Sequence, residues 1–277
     1  MTASKPVLWH IAISHYNEKA RWALDYKGVE FERRAPTPGA HMAVALWLTR
    51  GRRTTFPVLQ IDGETIGDST AIIAALERRF PDPALYPEDP GERTRALALE
   101  EFFDEEVAPH VRLLAFHEAT RDPEVVERFT VDLLPGRLRD SRAVRAGAGR
   151  FFSTFAAARY GVKSEQAAQV AREKVVAGFA RLESELGSND YLVGDRFTVA
   201  DLTAASLLYP VVQPPEGPRL PQGNERYEAF RSPLRDRRGY GWVEEMFKRH
   251  RNNSGDSSPA APGSPGSGAK VAAGRHA

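Results

Sequence analysis

The sequence predicts a two-domain protein, with a small α/β domain followed by an all-helical domain. Short strand-like segments alternate with helical patterns as far as residue 80, whereas the pattern beyond residue 92 is helical almost throughout. Four prolines fall within ten positions between the two regions, which indicates a semi-rigid linker. We therefore expect domains at residues 1–82 and 92–251, a linker at 83–91, and a disordered tail at 252–277, which is rich in Ser, Gly, Pro and Ala.

The first domain is predicted to have the element order β-α-β-α-β-β-α. The Asp62-Gly63 pair between two apolar runs indicates a tight hairpin. This order implies a mixed sheet with helices packed on it, and it is the order of the thioredoxin-like fold. The elements are expected at residues 7–13, 17–27, 29–33 and 41–48, on both sides of the hairpin, and from Ser69 to about Phe80.

The second domain is predicted to consist of helices joined by short connections. A break is expected where Pro135-Gly136 interrupts one of the helical patterns. The helices are expected at about residues 92–118, 123–160 with that break, 164–186, from Thr198 onward, and 240–250.

The composition excludes several classes of function. Of the 277 residues, 42% are hydrophobic and 27% are charged, and the formal net charge is +1. Nucleic acid is not expected as a partner, because polyphosphate binding usually shows as a basic excess. No membrane association is expected, since no apolar run approaches the ~20 residues that span a bilayer. Residues 1–6 lack the apolar core of a secretory signal, so a cytoplasmic location is expected.

The chain contains no cysteine. Disulfides, thiolate metal ligands and a nucleophilic sulfur of the protein itself are therefore excluded. His110 and His117 lie two turns apart on a predicted helix, which is too far for the spacing that a metal prefers, so no metal is expected. If sulfur chemistry takes place here, the sulfur arrives with a ligand.

Residues 55–72 have the features of a ligand-binding segment. Pro57 begins a strand, the hairpin follows, and Asp68-Ser69 precede an apolar helical pattern. A serine or aspartate in that position caps a helix, and the amides of the first turn attract anions. The segment therefore predicts a ligand cradle formed mostly by backbone groups.

Three separated motifs carry a family resemblance. They are Ser14–Leu24 (SHYNEKARWAL), Phe56–Leu59 (FPVL) with Asp68-Ser69, and Tyr191–Leu202 (YLVGDRFTVADL), whose Thr-x-x-Asp pattern is an N-capping box. Together they resemble the glutathione transferase (GST) superfamily, in particular a cytosolic, serine-type bacterial member. The resemblance covers residues 7 to about 250, and it implies a thioredoxin-like thiol-binding domain followed by the helical domain of that family.

The resemblance implies that Ser14 is the catalytic residue, with Tyr16 as the alternative. A free thiol with a pKa of about 8.5 is only a few per cent ionised at neutral pH. Lowering its pKa by about two units requires about 2.7 kcal/mol, which a hydroxyl donor at the positive end of a helix can supply. Two structural roles stay open at this point, because Ser14 could simply cap the first helix and Tyr16 could pack in the core.

The resemblance also implies how glutathione, the co-substrate, would be bound. The backbone amide and carbonyl of Phe56, next to a cis Pro57, would pair with the cysteinyl part. Asp68 and Ser69 would bind the γ-glutamyl end, and Arg53 would meet the glycyl carboxylate. Simple N-capping by the Asp-Ser pair and a solvated position for the arginine are the alternatives.

The electrophile pocket is expected to face Ser14 from the first long helix of the second domain. Its candidate residues are Arg112, Phe116 and His117, with Phe151, Phe152 and Phe155 further along the chain. Aromatic residues at helical spacing also fit an ordinary core, so that alternative stays open.

The function expected from the resemblance is that of a GST-like enzyme. It would activate the thiol of glutathione for attack on a small hydrophobic electrophile, as in detoxification, and would act as a homodimer by family habit. Two alternatives stay open: a non-catalytic binding or scaffold protein with the same fold, and a transferase that uses a different low-molecular-weight thiol.

Overall fold

A four-stranded mixed sheet with three helices forms the first part of the molecule. The computed structural model describes residues 5–36, 40–131, 134, 136–220 and 224–251, so the tail predicted at 252–277 lies outside the described residues. The strand order is β2-β1-β3-β4, with β1 parallel to β2 and the other two pairs antiparallel. The elements are β1 (Val7–Trp9), α1 (His15–Tyr26), β2 (Glu32–Arg34), α2 (His41–Leu48), β3 (Val58–Ile61), β4 (Glu64–Gly67) and α3 (Ser69–Arg79). The predicted order and the thioredoxin-like fold class are therefore confirmed.

The hairpin between β3 and β4 turns at the predicted pair. Asp62 and Gly63 both have positive φ angles, 48° and 78°. Two consecutive residues of this kind make the type of turn whose twist matches that of the flanking strands. The hairpin places Pro57 and Asp68 next to each other, and the Asp68 amide donates to the Pro57 carbonyl at 3.2 Å.

The second part of the molecule is helical. Its helices are α4 (Pro90–Glu101), α5 (Ala108–Thr120), α6 (Pro123–Val131), α7 (Gly136–Arg139), α8 (Arg142–Tyr160), α9 (Glu165–Leu186), α10 (Val199–Val212), α11 (Glu225–Arg231) and α12 (Arg238–His250), with a π-helical segment over Phe102–Val107 and a 3₁₀ turn over Ser232–Leu234. The pattern from 123 to 160 is divided into α6, α7 and α8, and α11 was not predicted from the sequence. Within the described residues, no helix is long and apolar enough to cross a bilayer.

A π-helical segment interrupts the helix predicted over residues 92–118, and Pro109 explains why. Proline has no amide hydrogen, and its ring clashes with the carbonyl four residues earlier. The Ala108 amide donates to the Phe103 carbonyl, five residues back. In this wider pattern the carbonyl of Asp104 would pair with residue 109, which has no donor. That carbonyl is consequently available for a side chain from the first domain.

The two parts share one hydrophobic core. Helix α10 lies at its centre, where all of its residues are buried, and it packs directly on α1. Trp22 of α1 is fully buried between Phe197 and Phe247, and its Nε1 donates to the carbonyl of His250 at 3.0 Å. Because α1 is held from both sides, its first turn has a fixed position relative to the helical domain.

The predicted capping box at the start of α10 is present. Asp201 accepts from the Leu192 amide at 2.8 Å and from the amide and hydroxyl of Thr198, each at 2.8 Å. Burial raises the pKa of Asp201 to about 6, against the opposing effect of these donors. The carboxylate therefore joins the loop before α10 to the helix itself.

We expect the substitution Asp201→Asn to destabilise the fold by about 1–3 kcal/mol, since the amide side chain would turn a donor toward one of these groups and leave it unpaired. Chemical denaturation of the purified variant measures the loss. Asp195→Asn is the matched control, because Asp195 lies in the same loop and is exposed. Equal stability of the two variants would show that the capping box contributes nothing.

Candidate active site

A cleft of about 520 Å³ lies between the two domains, at the start of α1. Its first-domain wall comes from the loop before α1, the first turn of that helix, and the segments before β3 and at the start of α3. Its second-domain wall comes mainly from the π-helical segment, α5 and the end of α8. The lining residues that bear on the chemistry are Ser14, His15, Tyr16, Arg53, Phe56, Pro57, Asp68, Ser69, Asp104, Glu105, Arg112, Phe116, Arg159 and Tyr160.

The loop that carries Ser14 is anchored at each of the three preceding residues. Arg21 donates to the carbonyls of Ile11 and Ala12, at 3.3 and 2.7 Å. The hydroxyl of Tyr209, a fully buried residue of α10, donates to the carbonyl of Ile13 at 2.5 Å. Because these donors are themselves buried, the backbone of Ser14 is held in one position.

Ser14 is the N-cap residue of α1, but its side chain does not act as a cap. The backbone has the extended conformation of an N-cap, with φ −82° and ψ 125°, and no capping hydrogen bond to the side chain is formed. The hydroxyl lies at the cleft, beside the positive end of the helix dipole. A hydroxyl that does not serve its own helix is available to a ligand.

Tyr16 uses its proton for another contact. Its hydroxyl donates at 3.0 Å to the carbonyl of Asp104, the group that Pro109 leaves without an amide partner. Burial raises the pKa of Tyr16, and the nearby charge of Arg112 opposes this effect only in part. The phenol therefore joins α1 to the π-helical segment, which argues against Tyr16 as the donor to a thiolate.

His15 is neutral in this environment. The ring is buried, and burial together with the positive charge of Arg112 lowers its pKa to about 3. Its Nε2 has no hydrogen-bond partner among the described residues. His15 therefore adds no positive charge to the site at neutral pH.

The Phe56–Pro57 peptide bond is cis, as the resemblance implies. The Phe56 carbonyl already accepts from the Asn17 side chain at 3.2 Å, and Asn17 also accepts from the Ile11 amide. The Phe56 amide has no such partner within the described part of the chain. The amide is thus the group left to pair with a bound peptide, and the expected pairing through the carbonyl is limited by Asn17.

Asp68 and Ser69 begin α3 at the edge of the cleft. One carboxylate oxygen of Asp68 caps the helix by accepting from the amides of Thr70 and Ala71, at 3.0 and 3.4 Å. The other oxygen lies 3.4 Å from Arg53. Asp68 has a φ of 92°, a strained conformation for a residue other than glycine that is typical of functional sites. N-capping by Asp68 is therefore present, and Arg53 is paired with Asp68.

The second-domain candidates divide into two groups. Arg112 and Phe116 line the cleft, whereas His117 does not. The His117 ring is fully buried, and its Nδ1 lies 2.6 Å from the Val162 carbonyl, so its expected place in the pocket is incorrect. Phe151, Phe152 and Phe155 also lie outside the cleft, in stacked or edge-to-face contacts with other rings.

Three groups that shape the site were not predicted from the sequence. Asn17 contacts the segment before β3, and Tyr209 contacts the loop before α1. Tyr160 forms part of the cleft wall. The Asn17–Phe56 and Tyr209–Ile13 hydrogen bonds join residues 39 and 196 positions apart, so no local pattern indicates them. The residues that the structure describes contain no group of three or more His, Asp or Glu side chains arranged to hold a metal ion.

Two family models match the chain. The model of the glutathione S-transferase N-terminal domain matches residues 8–84, and that of the C-terminal domain matches residues 142–231. The fold and the cleft already define a two-domain protein with a thioredoxin-like half and a helical half. With these two matches, which together cover more than half of its length, the chain belongs to the glutathione S-transferase family.

Among curated relatives, the chain is similar to isomerases. It is 36% identical to maleylacetoacetate isomerase of Rattus norvegicus over 96 residues, 34% of this chain and 44% of that protein. It is 27% identical to a probable maleylacetoacetate isomerase of Caenorhabditis elegans over 211 residues, 76% of this chain and 80% of that protein. The first alignment thus spans less than half of the relative.

The fold is also similar to solved structures of the family. A glutathione S-transferase of Ceriporiopsis subvermispora, solved in complex with glutathione, superposes with a TM-score of 0.59 at 19% identity. The superposition covers 89% of this chain and 98% of the other. At this level of identity the similarity concerns the fold.

Proposed function

We propose that the protein is a glutathione transferase-type enzyme in which Ser14 activates the thiol of bound glutathione. The observation that carries the proposal is the Ser14 hydroxyl, which lies at the cleft without a capping bond, beside the start of α1. The cis Pro57 and the start of α3 line the same cleft. Family membership and the glutathione-bound structural neighbour support the choice of thiol.

The reaction begins with loss of the thiol proton to solvent. The Ser14 hydroxyl donates a hydrogen bond to the resulting thiolate, and the N-terminal end of the α1 dipole adds to its stability. The sulfur then attacks an electrophilic carbon, the new carbon–sulfur bond forms, and the leaving group departs with the bonding electrons. Since a thiolate reacts and a thiol does not, the donor accelerates the reaction by increasing the ionised fraction.

The peptide part of glutathione would be held mainly by the first domain. The free amide of Phe56 would donate to the cysteinyl carbonyl, as an added strand does. The hydroxyl of Ser69 and the first amides of α3 would bind the γ-glutamyl carboxylate. Asp68 would receive the ammonium group through the oxygen that now lies near Arg53.

The two roles of Asp68 are separable by substitution. In Asp68→Asn, the side chain still caps α3, because asparagine is as good an N-cap, but the negative charge is lost. We expect the thermal stability to stay close to that of the wild type, while KM for glutathione rises about tenfold, as for a lost charged hydrogen bond. Kinetics and thermal unfolding of the same preparation measure the two effects. An unchanged KM would restrict Asp68 to capping.

Retention on a glutathione column and turnover together distinguish the proposal from its alternatives, with three possible outcomes. Retention on immobilised glutathione with turnover of 1-chloro-2,4-dinitrobenzene supports an enzyme that uses this thiol. Retention without turnover on a broad panel of electrophiles would favour a non-catalytic binding or scaffold protein. Absence of both, with turnover restored by another low-molecular-weight thiol, would indicate a different co-substrate.

The curated relatives favour a second candidate reaction, isomerisation. A thiolate that adds to an activated double bond and leaves again changes the geometry of that bond and is regenerated. The same Ser14 would serve this reaction. Consumption of glutathione separates the two reactions, because conjugation uses one thiol for each product and isomerisation uses none.

We also propose that the protein is a cytoplasmic homodimer that acts in detoxification.

A further inference from the structure

Two arginines that line the cleft have no acid partner. Arg112 lies on α5 and Arg159 near the end of α8, and neither forms an ion pair or a hydrogen bond with the residues that the structure describes. The Arg112 guanidinium lies 5.5 Å from the centre of the Tyr16 ring and 4.7 Å from that of Tyr160. Arg159 lies 5.3 Å from the centre of the Tyr160 ring. The Tyr160 ring therefore has both guanidinium groups as neighbours.

The position of the Arg112 side chain is energetically unfavourable unless a ligand accepts a hydrogen bond from it. Its Nε is buried and makes no hydrogen bond. A buried donor without an acceptor destabilises a fold, and such groups call for an explanation. By contrast, Arg172 of the neighbouring helix α9 pairs with Glu118 and Glu165, at 2.6 and 3.0 Å. The cleft wall thus holds a donor that the chain itself leaves without an acceptor.

The acids of the cleft do not neutralise this wall. Asp68 lies near Arg53, and Asp104 forms an ion pair with Lys19 at 2.7 Å. Glu105 lines the cleft as well, but it is exposed and makes no ion pair with Arg112. The part of the cleft around Tyr160 therefore has an excess of positive charge.

We propose that Arg112, assisted by Arg159, binds a carboxylate of the second substrate, so that the electrophile is a flat, unsaturated or aromatic acid. The inference rests on the proposed function and changes the expected electrophile from a small hydrophobic compound to an organic acid. A guanidinium matches a carboxylate through two parallel hydrogen bonds, and the adjacent tyrosine rings keep its plane fixed. Tyr160 and Phe116 offer ring faces and edges to a flat substrate.

Two probes that differ by a carboxylate test the proposal. They are 2-chloro-1,3-dinitrobenzene and 4-chloro-3,5-dinitrobenzoate, which carry the same two nitro groups beside the chlorine and from which glutathione displaces chloride in the same way. In Arg112→Gln we expect KM for the benzoate to rise about tenfold or more, as for loss of a charge-assisted pair. KM for the neutral probe and for glutathione should stay within about twofold. Arg150→Gln is the matched control, since Arg150 lies on α8, exposed and outside the cleft.

A binding measurement keeps this test independent of turnover. Calorimetry with 3,5-dinitrobenzoate and 1,3-dinitrobenzene, which have no leaving group, should show loss of affinity in Arg112→Gln for the acid alone. Equal losses for both compounds, or a change confined to KM for glutathione, would overturn the inference. If the wild type conjugates neither chloro compound, the proposed function fails, and the calorimetric comparison still decides whether Arg112 binds a carboxylate.

Discussion

Replacing Ser14 with alanine should reduce kcat for conjugation at pH 7 about 25-fold and leave the binding of glutathione nearly unchanged. The Ser14 side chain lines the cleft at the start of α1, and its hydroxyl makes no capping bond that its removal would break. At pH 7 a thiol with a pKa near 6.5 is about three-quarters ionised and one with a pKa near 8.5 is about 3% ionised, which is a factor of about 25. Steady-state kinetics with 1-chloro-2,4-dinitrobenzene measure kcat, and calorimetry measures glutathione affinity.

Tyr16→Phe is the control that separates the two candidate donors. The Tyr16 hydroxyl donates to the carbonyl of Asp104, so the substitution removes a contact between the domains. The hydrogen bond from Ser14 to the thiolate remains. We expect a change in kcat of less than about fivefold, as for one neutral hydrogen bond away from the sulfur. A loss in Tyr16→Phe as large as in Ser14→Ala would make the phenol the donor.

Replacing Lys19 with alanine should produce a stability loss of about 3–5 kcal/mol, because it leaves buried carboxylates without their counter-ion. The Lys19 side chain is fully buried, and its Nζ lies 2.9 Å from Glu100 and 2.7 Å from Asp104. It also donates to the Thr70 hydroxyl at 2.7 Å. The cluster joins α1 and α3 to the helical domain directly behind the cleft. Equilibrium unfolding in urea measures the loss.

The loss in Lys19→Ala should depend on pH. Burial raises the pKa of Glu100, and the positive charge of Lys19 opposes this rise. Without Lys19 the pKa rises further, so the stability of the variant is retained while Glu100 is protonated and decreases as pH rises through its folded-state pKa. The variant should therefore be closer to the wild type at acidic than at alkaline pH.

Lys5→Ala is the matched control for the loss of the Lys19 positive charge. Lys5 forms an ion pair with Glu30 at 3.4 Å, in which both side chains are more than half exposed. Exposed pairs of this kind contribute little to stability. We expect no measurable shift of the unfolding midpoint, and a loss equal to that of Lys19→Ala would mean that burial of the cluster is irrelevant.

Elements with local signals could be predicted from the sequence. The Asp62-Gly63 turn, the capping box at Asp201 and the Ser69 start of α3 each depend on residues within a few positions of one another. The family resemblance adds the cis bond before Pro57, which no local pattern distinguishes from a trans bond. Of these features, the Ser69 start of α3 and the cis Pro57 belong to the first-domain half of the candidate site.

The second-domain half depends on contacts between distant residues, and its prediction was less successful. Pro109 was a visible signal for the interruption of the helix, but the use of the freed Asp104 carbonyl by Tyr16 follows only from the packing of the domains. His117 has the spacing of a pocket residue and faces Val162 instead. Helical spacing predicts the face of the helix on which a residue lies, but it does not predict what packs against that face.

The pKa of the bound thiol is the quantity on which the proposed role of Ser14 depends. It can be measured by the ultraviolet absorbance of the thiolate as the complex with glutathione is titrated. In the wild-type complex the bound thiol should titrate about two units below the free value near 8.5. In the Ser14→Ala complex it should return close to the free value while glutathione remains bound. An equally low pKa in both complexes would contradict activation of the thiol by Ser14.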